Sequence, residues 1–144
     1  MMQVRKRLSL ESGFTLIEIM VVVAIIGILA ALIVPNIIDE PDKAKVVKVK
    51  QDIRAIVLSL NMYKLDNHNY PTTDEGLEAL VNRPESATAW RKDGYLAKLP
   101  KDPWDNEYQY LIPGTHGRID VYSLGADKQP GGEGFKADIG NWDL

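Results

Sequence analysis

The chain has 144 residues, carries a net charge of −3 and contains no cysteine. That length suits one domain and leaves no room for a second full core. Missing cysteines exclude disulfides, zinc–thiolate sites and thiol catalysis, and the acidic balance argues against a nucleic-acid binder, which would show a basic face.

The apolar residues are unevenly spread. Between Phe14 and Val34, 18 of 21 residues are apolar, against 47 of the other 123. Charge is uneven as well. Residues 1–13 hold Arg5, Lys6 and Arg7 against Glu11, a sum of +2, so everything after Gly13 sums to −5. A helix of 21 residues is about 31 Å long at about 1.5 Å per residue, close to the roughly 30 Å hydrocarbon core of a bilayer. The basic start predicts a cytoplasmic N-terminus with the remainder translocated. A cleaved secretory signal has a shorter apolar region and a small-x-small cut site. Leu32-Ile33-Val34-Pro35 is not one. A plain anchor fits the length but leaves Glu18 unexplained. A carboxylate inside an apolar helix either sits wet at the interface or has a cationic partner, and the helix itself supplies none.

Gly13-Phe14-Thr15-Leu16-Ile17-Glu18, followed by Ile19-Met20-Val21-Val22-Val23, resembles the processing motif of type IV pilins and pseudopilins. The resemblance implies that a prepilin peptidase cuts between Gly13 and Phe14 and then methylates the new amine of Phe14. It implies that Glu18, fifth in the mature chain, pairs with the N-terminal amine of a neighbouring subunit during assembly. Such pairing relieves two charges that would each be costly alone in an apolar filament core. The 13-residue leader is somewhat longer than is usual in that group, but keeps its basic character and final glycine.

Pro35 is expected to kink or loosen a continuing helix, and Pro41 is a second interruption. Val46, Val49, Ile53, Ile56, Leu60 and Tyr63, with Val57 beside them, then recur at three- and four-residue steps. This is one apolar helical stripe, read as the core of a small domain rather than as a coiled-coil seam, because it spans fewer than three heptads. The helix is predicted to end near Asp66-Asn67-His68-Asn69. Thr72 and Glu75 stand at capping-box spacing before Leu77, Leu80 and Val81, which predicts a short amphipathic helix. Residues 84–106 read as loop. Glu107–Ile112 and Arg118–Leu124 read as two strands joined by Pro113-Gly114-Thr115-His116-Gly117, a hairpin that would lie, with a partner strand, over the long helix.

Met62–Asn67, Tyr70–Thr73, Gly76–Leu80, Gly94-Tyr95-Leu96, Leu99–Trp104, Tyr122–Asp127 and Ala137–Trp142 together resemble the major pseudopilins of type II secretion systems, so that the resemblance covers residues 13–142. Asp105 and Lys128 depart from it, since glycine is usual at both positions. The fold implied is α+β of the type IV pilin-like kind, a long N-terminal helix on a small antiparallel sheet with a calcium-binding C-terminal loop. The implied division is a cleaved leader (1–13), an apolar membrane and filament-core helix (14–35) and a periplasmic domain (36–144).

Residues 125–140 hold 5 of the 11 glycines together with Asp127, Glu133 and Asp138. By composition this is a flexible polar tail or a cage of carbonyls and carboxylates of the kind calcium takes. It lacks the acidic spacing of an EF-hand. The resemblance favours calcium and implies carboxylates from Asp127 and Asp138, backbone carbonyls from Leu124 and Gln129, and a further carbonyl from Gly131 to Gly134. His68 and His116 read as solvated or capping residues, and Trp90, Trp104 and Trp142 as pins for loops. No nucleophile elbow or P-loop is present, so catalysis is not expected.

The function implied is a structural one. The chain would be a subunit held in the inner membrane of a Gram-negative bacterium, single-pass, with its C-terminal domain in the periplasm. It would polymerise into a pseudopilus that promotes protein export. The implied partners are copies of itself, minor pseudopilins, the prepilin peptidase, an inner-membrane assembly platform and an outer-membrane secretin. Alternatives are a type IV pilin for adhesion or motility, which commonly closes a C-terminal loop with a disulfide, and a membrane-anchored periplasmic binding module.

Overall fold

A computed structural model describes residues 13–38 and 40–144, with side chains left undescribed from 32 to 40. The leader expectation for residues 1–12 lies outside the described residues. The described chain forms two compact units, one ending at residue 39 and the other running from Glu40 to Leu144.

The first unit is helix α1, Leu16–Ile38. Its helical backbone continues past position 35 to Ile38. Apart from Glu18 and Gly27, its residues with described side chains are Leu, Ile, Val, Met and Ala, and these side chains are all exposed. Phe14 is 85% exposed and Leu16 81% exposed. Among the described residues no helix is long and apolar enough to cross a membrane. Side chains of α1 are described only as far as Ala31, so the apolar run of the sequence lies partly outside them.

The second unit begins with helix α2, Glu40–Asn67. Pro41 is tolerated because it stands in the first turn, where its missing N–H has no intrahelical partner to lose. The predicted stripe is the core. Val49, Ile53, Ile56 and Leu60 are fully buried and Tyr63 nearly so, while Val46 and Val57 pack at its margin. Fully burying each of the aliphatic side chains contributes about 1.5–3 kcal/mol. Asn67 ends the helix by turning its side chain back, Nδ2 donating to the Tyr63 carbonyl at 3.1 Å.

Opposite this stripe lies a three-stranded antiparallel sheet in the order β1 (Gln109–Leu111), β2 (Asp120–Ser123), β3 (Ile139–Gly140). Gln109 pairs with Tyr122 and Leu111 with Asp120, while Tyr122 pairs with Gly140 and Ser123 with Ile139. The expected hairpin and its partner strand are therefore present, though each strand is shorter than the sequence pattern suggests. Tyr108, Tyr110, Ile119, Val121 and Ile139 face the helix stripe as part of one buried cluster.

One expectation needs correction. Thr72 and Glu75 do form the reciprocal capping bonds, with the Thr72 amide donating to Glu75 at 2.8 Å and the Glu75 amide donating to the Thr72 hydroxyl at 3.2 Å. No α-helix follows. Gly76 takes φ +59°, and the chain resumes as a single 3₁₀ turn, Leu77–Leu80. That turn still buries Leu77, Ala79 and Leu80 against α2.

Candidate functional site

At the N-terminal end, residues 13–15 are non-helical and exposed, and α1 starts two residues after Phe14. Among the described residues, a side chain added at Gly13 would meet nothing within 4 Å. On the described side of the Gly13–Phe14 bond, residues 13–15 are therefore open and non-helical. Glu18 has a local partner that the sequence reading missed. Its carboxylate accepts from the Thr15 amide at 2.7 Å and from the Thr15 hydroxyl at 2.9 Å, and its own amide donates to the Thr15 hydroxyl at 3.3 Å. This is a capping box, with Thr15 at the N-cap and Glu18 three residues on. The signal was in the sequence, since Thr-x-x-Glu precedes the apolar run directly. A single subunit can therefore hold Glu18 at the helix start without burying a bare charge.

At the other end, the acidic loop leaves β2 at Leu124 and returns at Asp138. Its arms are tied by backbone bonds: the Ala126 amide donates to the Phe135 carbonyl at 3.0 Å, and the Asp138 amide to the Gly131 carbonyl at 3.1 Å. Glycine is required where the arms touch. Gly125 has φ +69°, and a Cβ there would stand 2.8 Å from the Ala137 carbonyl oxygen. Gly132 has φ +89°, and a Cβ there would collide with the Lys136 carbonyl oxygen. The loop is thus folded, not a free tail. Asp127 is half-buried and its Oδ1 accepts from the Gln129 amide at 3.1 Å. Asp138 Oδ2 accepts from the Gly131 amide at 2.9 Å, while its Oδ1 is buried with no hydrogen-bond partner among the described residues.

That orphan oxygen bears on the expected calcium. Leaving a buried acceptor unsatisfied costs about 1–3 kcal/mol, and a cation beside it would remove the cost. Among the described residues, no group of three or more His, Cys, Asp or Glu side chains could hold a metal ion. A site here would be carbonyl-rich, with Asp127 and Asp138 as its two carboxylates. With the Leu124 and Gln129 carbonyls and a carbonyl of the glycine arm, which the resemblance implies, the donors would all be hard oxygens of the kind calcium takes. The residues present fit calcium.

Two buried carboxylates escaped the sequence reading. Asp102, only 4% exposed, accepts from the amides of Trp104 (3.0 Å) and Asn106 (2.8 Å), from Asn106 Nδ2 (3.0 Å) and from the Ser123 hydroxyl (2.6 Å). The Asx-type turn at Asp102-Pro103-Trp104 was its available signal. Asp120, 1% exposed, closes the hairpin turn by accepting from the amides of Thr115 (2.7 Å) and His116 (3.1 Å) and sits 3.1 Å from His116 Nδ1. Burial pushes its carboxyl up, but the hydrogen bonds from His116 and Thr115 outweigh this and hold it below the usual carboxylate range. His116 is therefore more than a solvated residue, since its ring also stacks on Trp142 at 3.7 Å. His68 is exposed in a turn with φ +68°. The tryptophans pin loops as expected. Trp90 Nε1 donates to the Ala79 carbonyl at 2.9 Å, and Trp104 lies under the Lys45 ammonium at 5.9 Å.

Comparison with known proteins fits these features. Residues 36–142 match the family described as type II secretion system protein G, and residues 8–34 match the prokaryotic N-terminal methylation motif. The chain is 62% identical over 136 residues to the type II secretion system core protein G of Pseudomonas aeruginosa, covering 92% of this chain and 96% of the relative. It is 55% identical over 141 residues to the protein of the same name from Vibrio cholerae, covering 96% and 97%. The crystal structure of the major pseudopilin from the type 2 secretion system of enterohaemorrhagic Escherichia coli superposes with a TM-score of 0.69 at 46% identity, over 76% of this chain and 96% of that one.

Proposed function

The chain belongs to the protein G family of type II secretion systems, a major pseudopilin by its relatives and its fold, and from that premise we propose how its two ends serve the filament. The precursor is cut between Gly13 and Phe14 by a prepilin peptidase and methylated at Phe14. Residues 14–35 first hold it in the inner membrane, with residues 36–144 in the periplasm, and then become the core of a homopolymeric pseudopilus. Glu18 changes partner on assembly, from Thr15 within the subunit to the Phe14 amine of a neighbour. Minor pseudopilins, an inner-membrane assembly platform and an outer-membrane secretin complete the machine. The chain itself performs no catalysis.

The observation that carries this reading is α1, whose large apolar residues, like Phe14 just before it, are at least half exposed in the single subunit as far as Leu29. A continuous apolar surface of this extent needs cover from lipid or from other copies. The relatives are secretion proteins, which does not favour the reading as an adhesion or motility pilin, and a solitary anchored binding module would leave Glu18 with no assembly role.

The acidic loop is the second part of the proposal. The Asp127 and Asp138 carboxylates and the Leu124 and Gln129 carbonyls would hold calcium, with a further carbonyl from Gly131 to Gly134. The ion would supply positive charge that ties the two arms together where no apolar core does.

The test is export. Deleting the gene in its own host should stop release of type II substrates into the medium, and the plasmid-borne chain should restore it. A deletion strain that exports normally would overturn the proposal.

A further inference from the structure

The buried cluster of Asp102, Asn106 and Ser123 lies at the point where β2 gives way to the acidic loop, and no role assigned so far uses it. Ser123 is fully buried; its hydroxyl donates to Asp102 Oδ2 at 2.6 Å and accepts from the Gly125 amide at 3.1 Å. Asn106, 9% exposed, spends one Nδ2 hydrogen on Asp102 Oδ2 at 3.0 Å and the other on the Gly125 carbonyl at 2.9 Å. Both polar groups of the Gly125 backbone are thus held by side chains of one cluster.

The consequence falls on Leu124. In a trans peptide the N–H and the preceding C=O point in opposite directions. The only cis bond among the described residues is Ile112–Pro113. With the Gly125 N–H fixed on Ser123 Oγ, the Leu124 carbonyl is turned away from that side chain and cannot rotate without breaking the bond. The next peptide is held on both sides too, since its C=O meets Asn106 and its N–H, from Ala126, donates to the Phe135 carbonyl at 3.0 Å. Two successive peptide planes leading to Asp127 are locked, and the lock is anchored on a carboxylate that accepts four hydrogen bonds.

We propose that Asp102, Asn106 and Ser123 are positioning residues for the calcium site, setting the aim of the Leu124 carbonyl and the path of the chain into Asp127. This rests on the calcium reading of the acidic loop. None of the three residues is among the expected ligands. The cluster pre-sets a backbone ligand that would otherwise have to be ordered when the ion binds, and groups that orient metal ligands in this way are typically worth about 10- to 100-fold in affinity.

The experiment is calorimetric titration of the processed full-length chain in detergent micelles with calcium chloride, and in parallel with magnesium chloride. The parent should bind calcium and Asp127→Ala should not. Ser123→Ala, which removes only a hydroxyl, and Asn106→Ala should each bind calcium about 10- to 100-fold more weakly while keeping the parent far-UV circular dichroism. Thr73→Val is the control for lost stability alone. It removes a comparable clasp, the Thr73 hydroxyl on the Ile112 amide and carbonyl at 3.1 and 2.9 Å, at the opposite end of the sheet. It should keep the parent affinity. Parent-like affinity in Ser123→Ala and Asn106→Ala, with Asp127→Ala inactive, would overturn the positioning role and leave the calcium reading standing. An equal loss in Thr73→Val would also overturn it. A parent that binds no calcium would overturn both.

Discussion

Replacing Lys128 by glycine should stabilise the protein. Lys128 sits in the acidic loop with φ +61°, a left-handed conformation, and Asp105 does the same in the turn after Trp104 with φ +64°. Both are positions where the family resemblance implies glycine. For a residue with a Cβ the left-handed region costs about 1–2 kcal/mol. Aspartate bears it better than lysine, because its short polar side chain can bond locally. Glycine gives back part of the gain by freeing the unfolded chain, an effect of about 0.4–1 kcal/mol. The net expectation for Lys128→Gly is a gain of roughly 0.5–1 kcal/mol, which in a domain of this size raises Tm by about 2–6 °C. Asp105→Gly should be close to neutral. The assay is thermal unfolding by circular dichroism in metal-free buffer, with Lys128→Ala alongside. Alanine removes the charge but keeps the strained φ, so it should show no gain. If Lys128→Ala stabilises as much as Lys128→Gly, the effect belongs to charge and the backbone argument fails.

Three further expectations concern the core, the tyrosines and the N-terminal cap. Ile53→Ala empties a fully buried site on the α2 stripe and should cost about 2–5 kcal/mol in urea unfolding, whereas a loss below about 1 kcal/mol would mean that the stripe is not the core. Burial and the Asp52 carboxylate raise the Tyr108 hydroxyl well above its ordinary value, and burial raises Tyr110 likewise. Their stabilising contribution is complete below the unfolded tyrosine pKa of about 10 and is lost above it as the unfolded chain ionises first, so stability should fall steeply from about pH 10 upward, and less steeply in Tyr108→Phe. Glu18→Gln keeps an acceptor for the Thr15 cap but removes the charge. It should be cut and inserted normally yet assemble poorly, because an unpaired buried amine costs several kcal/mol per subunit. Parent-like filament yield would reduce Glu18 to a helix cap.

The sequence was most legible where one physical rule acts alone. The α2 stripe is readable because burial on one face of a helix must repeat about every 3.6 residues, and the five buried hydrophobic positions from Val49 to Tyr63 obey that repeat. The N-terminal motif is readable because its residues are neighbours in the chain. What stayed hidden is set by contacts between distant segments. Strand β3 is two residues long, too short to show alternation. The two residues after it hold it in place: the Asn141 side chain bonds to the Val121 amide and the Ile119 carbonyl, and the Trp142 ring fills the space a Cβ on Gly140 would take. The short amphipathic helix expected after Thr72 forms only as the 3₁₀ turn Leu77–Leu80, because Gly76 at φ +59° interrupts the chain before an α-helical turn can add. The burial of Asp102 stayed hidden because, although three of its donors are local, the Ser123 hydroxyl that ties it to the sheet lies 21 residues away.

If the exposed apolar helix belongs to a processed, polymerising subunit, its N-terminus must show the processing. The measurement that tests this most directly is the intact mass of the chain recovered from membranes of cells that contain a prepilin peptidase. The recovered chain should start at Phe14 and carry one N-methyl group. A chain that still begins at Met1 would contradict that reading.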